Sequence, residues 1–349
     1  MAVGRRGVPP TMDDVARAAC VSKMTVSRAL RGQHVAAGTR ARILAEIDRL
    51  GYVPHAAAGA LASQRSGFVA AIVPSIDNAN FADMVHGLET ALRDAGLDLL
   101  LGTTGYRADR EEALLRTMLR HRPEGIVLTG GVHAARVRQI LARSAVPVVE
   151  TWDLPRNPIG SVVGIANRDA GALMTRHLAE IGRRRIAFLG GASPRDPRGE
   201  DRRRGYCAAL ADLELGPPRV LRHGLPPLSM HHGAEGLAKL MDRFPDVDGI
   251  VCASDPIAFG AISECHRQGI AVPARVAIGG FGDFEVARCA EPGITTVAVG
   301  AERIGLDAGA VLRAAIEARR RGLVEAPSWQ DVALRLIVRG STVEGRAAR

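Results

Sequence analysis

The fold of the N-terminal part of the chain is decided by the stretch Thr11-Met12-Asp13-Asp14-Val15-Ala16-Arg17-Ala18-Ala19-Cys20-Val21-Ser22-Lys23-Met24-Thr25-Val26-Ser27-Arg28-Ala29-Leu30. It contains two helix starts, each with a hydroxyl residue as cap. Thr11 precedes two acids that oppose the positive end of a helix dipole, and Ser22 opens a second short helix. Two short helices joined by one tight turn are typical of a helix-turn-helix, whose second helix enters the major groove of DNA.

The second of these helices has one apolar face. Val26, Ala29 and Leu30 recur at helical spacing, so we expect them to face a core. The residues left on the outer face are Lys23, Met24, Ser27 and Arg28. A third helix, predicted over 39–50, completes an all-α three-helix domain at 1–53.

Positive charge is concentrated in the same part of the chain. Residues 1–66 contain ten Lys/Arg and four Asp/Glu, which is +6 of the total net charge of +9. A basic surplus in a short segment is typical of a module that binds phosphates. An arginine-rich proteome is the alternative explanation, but it accounts less well for a surplus at one end.

Length and composition restrict the number of domains and the class of protein. A chain of 349 residues predicts two or three domains, because single cores rarely grow that large. No apolar run reaches the length of a membrane span, and residues 1–10 lack the apolar core of a secretory signal. The five cysteines are scattered and form no C-x-x-C pair. We therefore expect a cytoplasmic protein, associated with the nucleoid when bound to DNA, without disulfides or a metal.

Catalysis finds no support in the motifs. The glycine-rich run at 190–193 lacks the lysine of a phosphate-binding loop. No G-x-S-x-G elbow and no H-E-x-x-H pair occurs, and His231 and His232 lie in a proline-rich stretch without metal-ligand spacing. The expectation is a protein that is not an enzyme and uses no cofactor.

Three groups of residues resemble a known family. They are Asp14-Val15-Ala16, then Val21-Ser22 with Thr25-Val26-Ser27-Arg28-Ala29-Leu30, then Leu50-Gly51-Tyr52 with Pro54. This pattern resembles the lactose-repressor/galactose-repressor (LacI/GalR) family of transcription regulators. The resemblance implies that Lys23, Met24 and Arg28 touch base edges and that Thr25 and Ser27 hold phosphates. The chemistry agrees, since lysine and arginine donate to guanine and methionine contacts the thymine methyl.

The resemblance also implies a DNA-binding role for the segment at 54–66. In the family this hinge becomes helical on the operator, and its leucine, Leu61 here, wedges into the minor groove. The alternative is that Leu61 is a plain linker residue. Three positions depart from the family pattern: Cys20 replaces a turn glycine, His55 an asparagine and Gly59 an arginine. Because glycine costs about 1 kcal/mol in a helix, this hinge is expected to be harder to order.

The rest of the chain alternates strand and helix from Phe68 onward. Such alternation predicts parallel sheets, and two successive series predict two lobes. Ligands of such folds bind at the carboxyl ends of strands, here in the cleft between the lobes. The predicted ligand-binding and dimerisation domain is 67–340, with a first lobe at 67–166 and 297–325, a second at 167–296 and 326–340, and a tail at 341–349.

The family resemblance continues through this half. The matching groups include Pro74-Ser75-Ile76 with Asn78 and Phe81, Arg202 with Gly205-Tyr206, Ser254-Asp255, and Gly280-Phe281-Gly282-Asp283. The family's two-lobed domain resembles periplasmic sugar-binding proteins. By this resemblance the ligand meets Asn80, Phe81, Arg202 at the head of its helix, and Asp255, with Asp283 facing the same cleft. The alternatives are a helix N-cap for Asp255, a solvated charge for Arg202 and plain core for Phe81.

The sequence also supports predictions about the chemical class of the effector and about the oligomeric state. The run Val148-Val149-Glu150-Thr151-Trp152-Asp153 resembles the gluconate-regulator branch, and Arg195, Arg198 and Arg202 provide positive potential for a sugar acid. A neutral sugar and a nucleobase remain alternatives. We expect a homodimer that reads two operator half-sites and, with no heptad at the C-terminus, no tetramer. We predict a repressor released by an inducer; a corepressor-dependent regulator and a transport receptor are the alternatives.

Overall fold

The computed structural model of the chain describes residues 9–30, 32–53, 66–193 and 195–343. Two compact units are formed, residues 1–66 and residues 67–349. The predicted hinge residues 54–65, with Leu61, His55 and Gly59, lie outside the described residues. Within the part of the chain that is described, no helix is both long and apolar enough to cross a membrane.

The N-terminal unit contains three helices. They are α1 (Met12–Ala18), α2 (Lys23–Leu30) and α3 (Ala37–Leu50). Thr11 and Asp14 form a capping box at the start of α1, as the hydroxyl residue before two acids indicates. Val15, Val26 and Ile43, one from each helix, are fully buried and pack together. The apolar faces therefore meet in one small core, which leaves the polar face of α2 exposed.

The first lobe of the larger unit is built on a six-stranded parallel sheet. Its elements are β1 (Phe68–Val73), α4 (Ala79–Arg93), β2 (Asp98–Thr103), α5 (Ala108–Arg120), β3 (Gly125–Thr129), α6 (Ala135–Ser144), β4 (Val148–Thr151) and β5 (Ser161–Gly164). After the second lobe, α12 (Ala301–Arg320) and β11 (Trp329–Asp331) complete it. The strand order is β11-β5-β4-β3-β1-β2, so β2 is an edge strand.

The second lobe repeats the arrangement. Its elements are α7 (Asn167–Glu180), β6 (Ile186–Gly190), α8 (Pro197–Asp212), β7 (Arg219–Arg222), α9 (Met230–Arg243), β8 (Gly249–Cys252), α10 (Asp255–Arg267), β9 (Ala277–Gly282), α11 (Glu285–Cys289), β10 (Thr295–Ala298) and β12 (Arg335–Ile337). The strand order is β12-β10-β9-β8-β6-β7. All neighbours are parallel except the short edge strand β12, which runs antiparallel to β10. The two α/β lobes confirm the predicted fold class.

The lobe boundaries differ from the expectation at the C-terminus. The expectation placed 326–340 in the second lobe, but β11 pairs with β5 of the first lobe. Likewise β10 stays in the second sheet up to Ala298, beyond the expected crossing at 297. Strands of three or four residues are too short to show a hydrophobic period, so only their pairing assigns them to a lobe.

The expected tail at 341–349 begins inside the second lobe. Ser341 is fully buried, and its hydroxyl donates to the Ile278 carbonyl at 2.6 Å while accepting from the Thr295 amide at 2.9 Å. Thr342 Oγ1 lies 2.9 Å from Nε2 of the buried His177. Polar residues without periodicity predict a tail in the sequence. In the structure the Ser341 hydroxyl satisfies buried backbone groups and the Thr342 hydroxyl bonds a buried side chain.

Candidate DNA-binding and ligand-binding sites

The exposed face of α2 carries the residues predicted to read DNA. Lys23 and Arg28 are exposed, and 60% of Met24 is exposed although it is apolar. Lys23 Nζ forms an ion pair with Asp13 at 2.7 Å, but both side chains remain more than half exposed. Residues four apart on a helix lie side by side, so Met24 and Arg28 share one face. The arrangement offers two cations and an apolar tip to a groove.

The two predicted phosphate-binding residues lie on the same helix. The Thr25 hydroxyl is 2.8 Å from that of Ser22, and Ser22 also accepts the Thr25 amide at the helix start. Both Thr25 and Ser27 are partly buried. Cys20 in the preceding turn has φ of 52°, the left-handed conformation that glycine adopts without strain. The departure from glycine at this position therefore places strain in the turn.

A cavity lies between the two lobes at the carboxyl ends of their strands. It encloses about 720 Å³ between its lining atoms, part of it open to solvent. Asn80, Phe81 and Trp152 line it from the first lobe. The second lobe contributes Arg198, Arg202, Phe281 and Phe284. Aromatic rings therefore alternate with guanidinium groups around the space.

The first-lobe wall is formed by the start of α4 and the end of β4. Asn78 caps α4 by accepting the Asn80 amide at 3.1 Å, which presents Asn80 and Phe81 to the cavity. The ring of Phe81 meets Trp152 edge to face, with centroids 5.2 Å apart. Trp152 has φ of 75° and donates its Nε1–H to Met84 Sδ at 3.0 Å. Strained conformations of bulky residues are costly and concentrate at ligand sites.

Two buried arginines form the charged wall. Arg202 Nη1 donates to Asn167 Oδ1 at 2.6 Å, and its guanidinium lies 4.1 Å from the centre of the Phe281 ring. Arg202 Nε is buried without a hydrogen-bond partner among the described residues. Arg198 lies 5.3 Å from the Phe81 ring centre and 3.9 Å from the Asp153 carboxylate. Burial raises the pKa of Asp153 and lowers that of Arg202. The wall therefore holds incompletely paired positive charge.

Arg202 was predicted from the sequence to stand at the head of its helix, and the structure shows that this is wrong. The helix begins at Pro197, is capped by Asp196, and places Arg202 in its second turn. The polar stretch before Arg202 hid the start of the helix, because charged residues on an exposed face show no apolar period. In the second turn the side chain is buried and reaches the cavity instead of solvent.

Asp255 and Asp283 stand behind the wall, and neither lines the cavity. Asp255 is fully buried; its carboxylate accepts the Thr296 hydroxyl at 2.6 Å and the Phe284 amide at 2.9 Å. Burial raises its pKa to about 6. Asp283 accepts a bond from Arg339 Nη2 at 2.7 Å. The cap position of α10 is Ser254, so the Asp255 carboxylate fixes the loop after β9 and does not cap its helix.

Several residues that line the cavity were not predicted from the sequence as site residues, among them Tyr106, Trp152 and Phe284. Phe281 was named in the sequence only as part of a family motif, and Arg198 only as a source of positive charge; neither was predicted to contact the ligand. Trp152 directly follows β4, and the position after a strand end was the signal that could have identified it. Tyr106 and Phe284 lie in loops whose conformation the sequence does not encode.

A three-helix DNA-binding unit combined with a two-lobed α/β unit that encloses an arginine-lined cavity defines a ligand-responsive transcription regulator. Comparison with known families agrees: residues 11–55 match the bacterial regulatory proteins of the lacI family. Residues 175–342 match the periplasmic binding protein-like domain. The chain belongs to the LacI family and is similar to its gluconate-regulator branch.

Known relatives extend over nearly the whole chain. The HTH-type transcriptional regulator GntR of Escherichia coli is 32% identical over 333 residues, covering 95% of this chain and 98% of that protein. The regulator of the same name from Pseudomonas aeruginosa is 35% identical, covering 95% and 96%. A LacI-family regulator structure from Silicibacter pomeroyi is 32% identical with a TM-score of 0.87, covering 95% and 99%. These relatives confirm that the chain is a DNA-binding transcription regulator.

Proposed function

We propose that this regulator represses genes of sugar-acid catabolism and leaves its operator when a sugar acid such as gluconate binds between the lobes. The observation that carries the proposal is the pair of buried arginines, Arg198 and Arg202, set among aromatic rings in the cavity. The relatives named as transcriptional regulators support the binding of operator DNA. The chemistry of the cavity supports a sugar acid as the effector.

A carboxylate suits this wall better than a neutral group. Arg202 Nε is buried without a partner among the described residues, and an anion that accepts from it satisfies an otherwise costly donor. Guanidinium groups bind carboxylates through paired charge-assisted hydrogen bonds. Phe81 and Trp152 offer apolar ring faces for the C–H side of a carbon chain. A neutral sugar uses the rings but offers no charge-assisted partner to Arg202, whose neighbours Asp153 and Asp196 offset the positive charge only partly.

The proposed contacts divide into two groups. Asn80, Phe81 and Arg202 touch the ligand directly, because they line the cavity. Asp255 and Asp283 act through the wall that they hold, since the Asp255 carboxylate fixes the Phe284 backbone. On DNA, Lys23, Met24 and Arg28 read base edges while Thr25 and Ser27 hold phosphates, and Leu61 enters the minor groove.

We propose a homodimer as the working species. The edge strand β2 leaves two leucines, Leu100 and Leu101, 45% and 37% exposed. An exposed apolar edge strand invites pairing with another chain, and a two-fold pair matches an operator with two half-sites. Leu100 and Leu101 point to opposite faces of the strand, so a second copy at this edge removes apolar surface from water on whichever face it covers.

The experiment is an operator titration on the protein's own promoter fragment, without ligand and with saturating gluconate or glucose. We expect gluconate to weaken binding by about 5- to 150-fold, the usual range of allosteric coupling, and glucose to have little effect. Arg202→Ala should lose the response to gluconate while binding operator normally in its absence. Arg204→Ala is the matched control, because Arg204 lies on the same helix, is 60% exposed at its side chain and does not line the cavity.

Three results would contradict the proposal. An operator affinity that no sugar acid changes would exclude sugar acids as effectors. Tighter operator binding with gluconate would reverse the sign of the switch and make the ligand a corepressor. An unchanged response in Arg202→Ala would mean that Arg202 is a structural charge.

A further inference from the structure

The backbone where the second unit begins is held from two sides. Gly67 is the first residue of that unit and leads directly into β1. Its N–H donates to Glu124 Oε1 at 2.9 Å, and its carbonyl accepts the Asp98 amide at 2.8 Å. Its φ of 75° lies in the region that favours glycine. A side chain from the β3 side of the sheet therefore fixes the entry of the chain into the lobe.

The Glu124 carboxylate is itself held by Arg320. Arg320 Nε donates to Glu124 Oε2 at 2.9 Å, and Nη2 contacts the same oxygen. Glu124 is 6% exposed and the Arg320 side chain 28%, so water screens the pair only partly. Charge-assisted hydrogen bonds of this kind are about twice as strong as neutral ones. We call Gly67, Glu124 and Arg320 the strand-entry clamp.

The clamp sits at one end of a helix whose other end meets the crossing between the lobes. Arg320 is the last residue of α12, and α12 begins at Ala301, directly after β10 of the second lobe. A helix of 20 residues is about 30 Å long. Any rotation of the second lobe against the first therefore acts on the first turn of α12, and the clamp lies at the far end.

Helix α12 is packed backbone to backbone on α4, which carries Phe81 into the cavity. A Cβ added at Gly305 would lie 1.9 Å from the Met84 carbonyl oxygen, and one at Gly87 2.2 Å from that of Glu302. Such a Cβ would clash, so only glycine at these two positions lets the helix backbones approach directly. Close-packed interiors have low compressibility and transmit strain. The α4–α12 pair thus joins the ligand cavity and the clamp through one stiff element.

We infer that Glu124 and Arg320 are positioning residues that transmit lobe movement to the backbone preceding Gly67. The inference rests on the proposed function, since it requires that ligand and operator be coupled. A ligand shifts an equilibrium only by its differential affinity for the two states, and operator binding responds only when the same two states also differ in their affinity for DNA. With the clamp intact, a displacement of the end of α12 displaces Gly67. With the clamp broken, the chain entering β1 loses its link to α12.

The test measures two quantities on the full-length protein. One is the ratio of operator Kd with saturating gluconate to operator Kd without it, and the other is the Kd of gluconate from calorimetry. In Arg320→Ala and Glu124→Gln we expect the operator ratio to fall by about three- to tenfold, within the range seen for residues that carry coupling. The gluconate Kd should change by less than about twofold, because neither residue lines the cavity. A purely structural role would change stability and leave the ratio intact.

The matched control is Arg321→Ala. Arg321 directly follows Arg320 at the end of the same helix and also forms an ion pair, with Glu317 at 3.8 Å, but its side chain is 72% exposed and points to that partner instead of Glu124. Its ratio should equal that of the wild type. Glu124→Gln keeps an acceptor for the Gly67 amide, so one clamp variant stays folded even if Arg320→Ala does not.

The outcomes separate the two proposals. A wild-type ratio of one overturns the proposed function together with this inference. A wild-type ratio well above one that persists unchanged in both clamp variants overturns the inference alone. If the clamp variants lose gluconate affinity together with the operator ratio, the effect lies in the cavity, and this inference is also overturned.

Discussion

Replacing Asp255 by asparagine tests the buried carboxylate behind the ligand cavity. Burial raises its pKa from 3.8 to about 6, so the folded protein holds a proton that the unfolded chain has released between these values. The unfolded state binds fewer protons there, and stability falls as pH rises through this window. A shift of about two pKa units corresponds to about 3 kcal/mol, which is fully lost above about pH 6.

Asp255→Asn removes this titration with little change in shape. The amide oxygen can accept the Phe284 N–H, and the amide nitrogen can donate to the Thr296 hydroxyl, so both partners of the carboxylate remain bonded. We expect the difference in free energy of unfolding, variant minus wild type, to be near zero at about pH 4 and to rise with pH to about 3 kcal/mol at neutral pH.

The assay is urea unfolding of wild type and Asp255→Asn at closely spaced pH values, followed by tryptophan fluorescence. The difference between the two curves isolates the contribution of Asp255. Parallel curves across the window would refute the raised pKa. The same variant reports on function: a retained response to gluconate assigns Asp255 to the support of the wall, and a lost response with intact operator binding assigns it to the ligand.

Two further predictions concern DNA reading and assembly. Arg28→Ala should cost about 1–3 kcal/mol of specific operator binding and relax the base preference at one position per half-site, measured by titration of single-base operator variants. Arg49→Ala, on the exposed face of α3, is the control. Equal losses of affinity on operator and on random DNA would argue against base reading by Arg28. Leu101→Asp should shift the protein toward monomer in sedimentation at micromolar concentration, because it places a charge on the exposed edge of β2; an unchanged dimer would place the interface elsewhere.

Local patterns were sufficient wherever the signal lies within a few residues. The hydroxyl cap at Thr11 and the apolar face around Val26 are set by neighbours along the chain, and the structure has both. The long strand–helix alternation was equally clear, because each helix repeats its period several times. These features define the class of protein before any tertiary contact is known.

Single charged residues were less predictable, because their role depends on what surrounds them. Arg202 was assigned to a helix head from a motif position, yet packing buries it in the second turn beside Phe281. Asp255 was expected to meet the ligand, with a helix cap as the alternative, and the sequence did not indicate that its carboxylate accepts bonds from Thr296 and the Phe284 backbone. Both outcomes depend on residues tens of positions away.

The sequence by itself determined a basic helix-turn-helix followed by a two-lobed α/β domain, since helix caps, apolar periods and local charge act over short distances along the chain. Only the tertiary structure decided which short C-terminal strand joins which sheet, which side chains line the cavity, and that Glu124 and Arg320 hold the start of β1. Those features are pairings between distant segments, and their energy arises from burial and from hydrogen bonds that exist only after the lobes have packed.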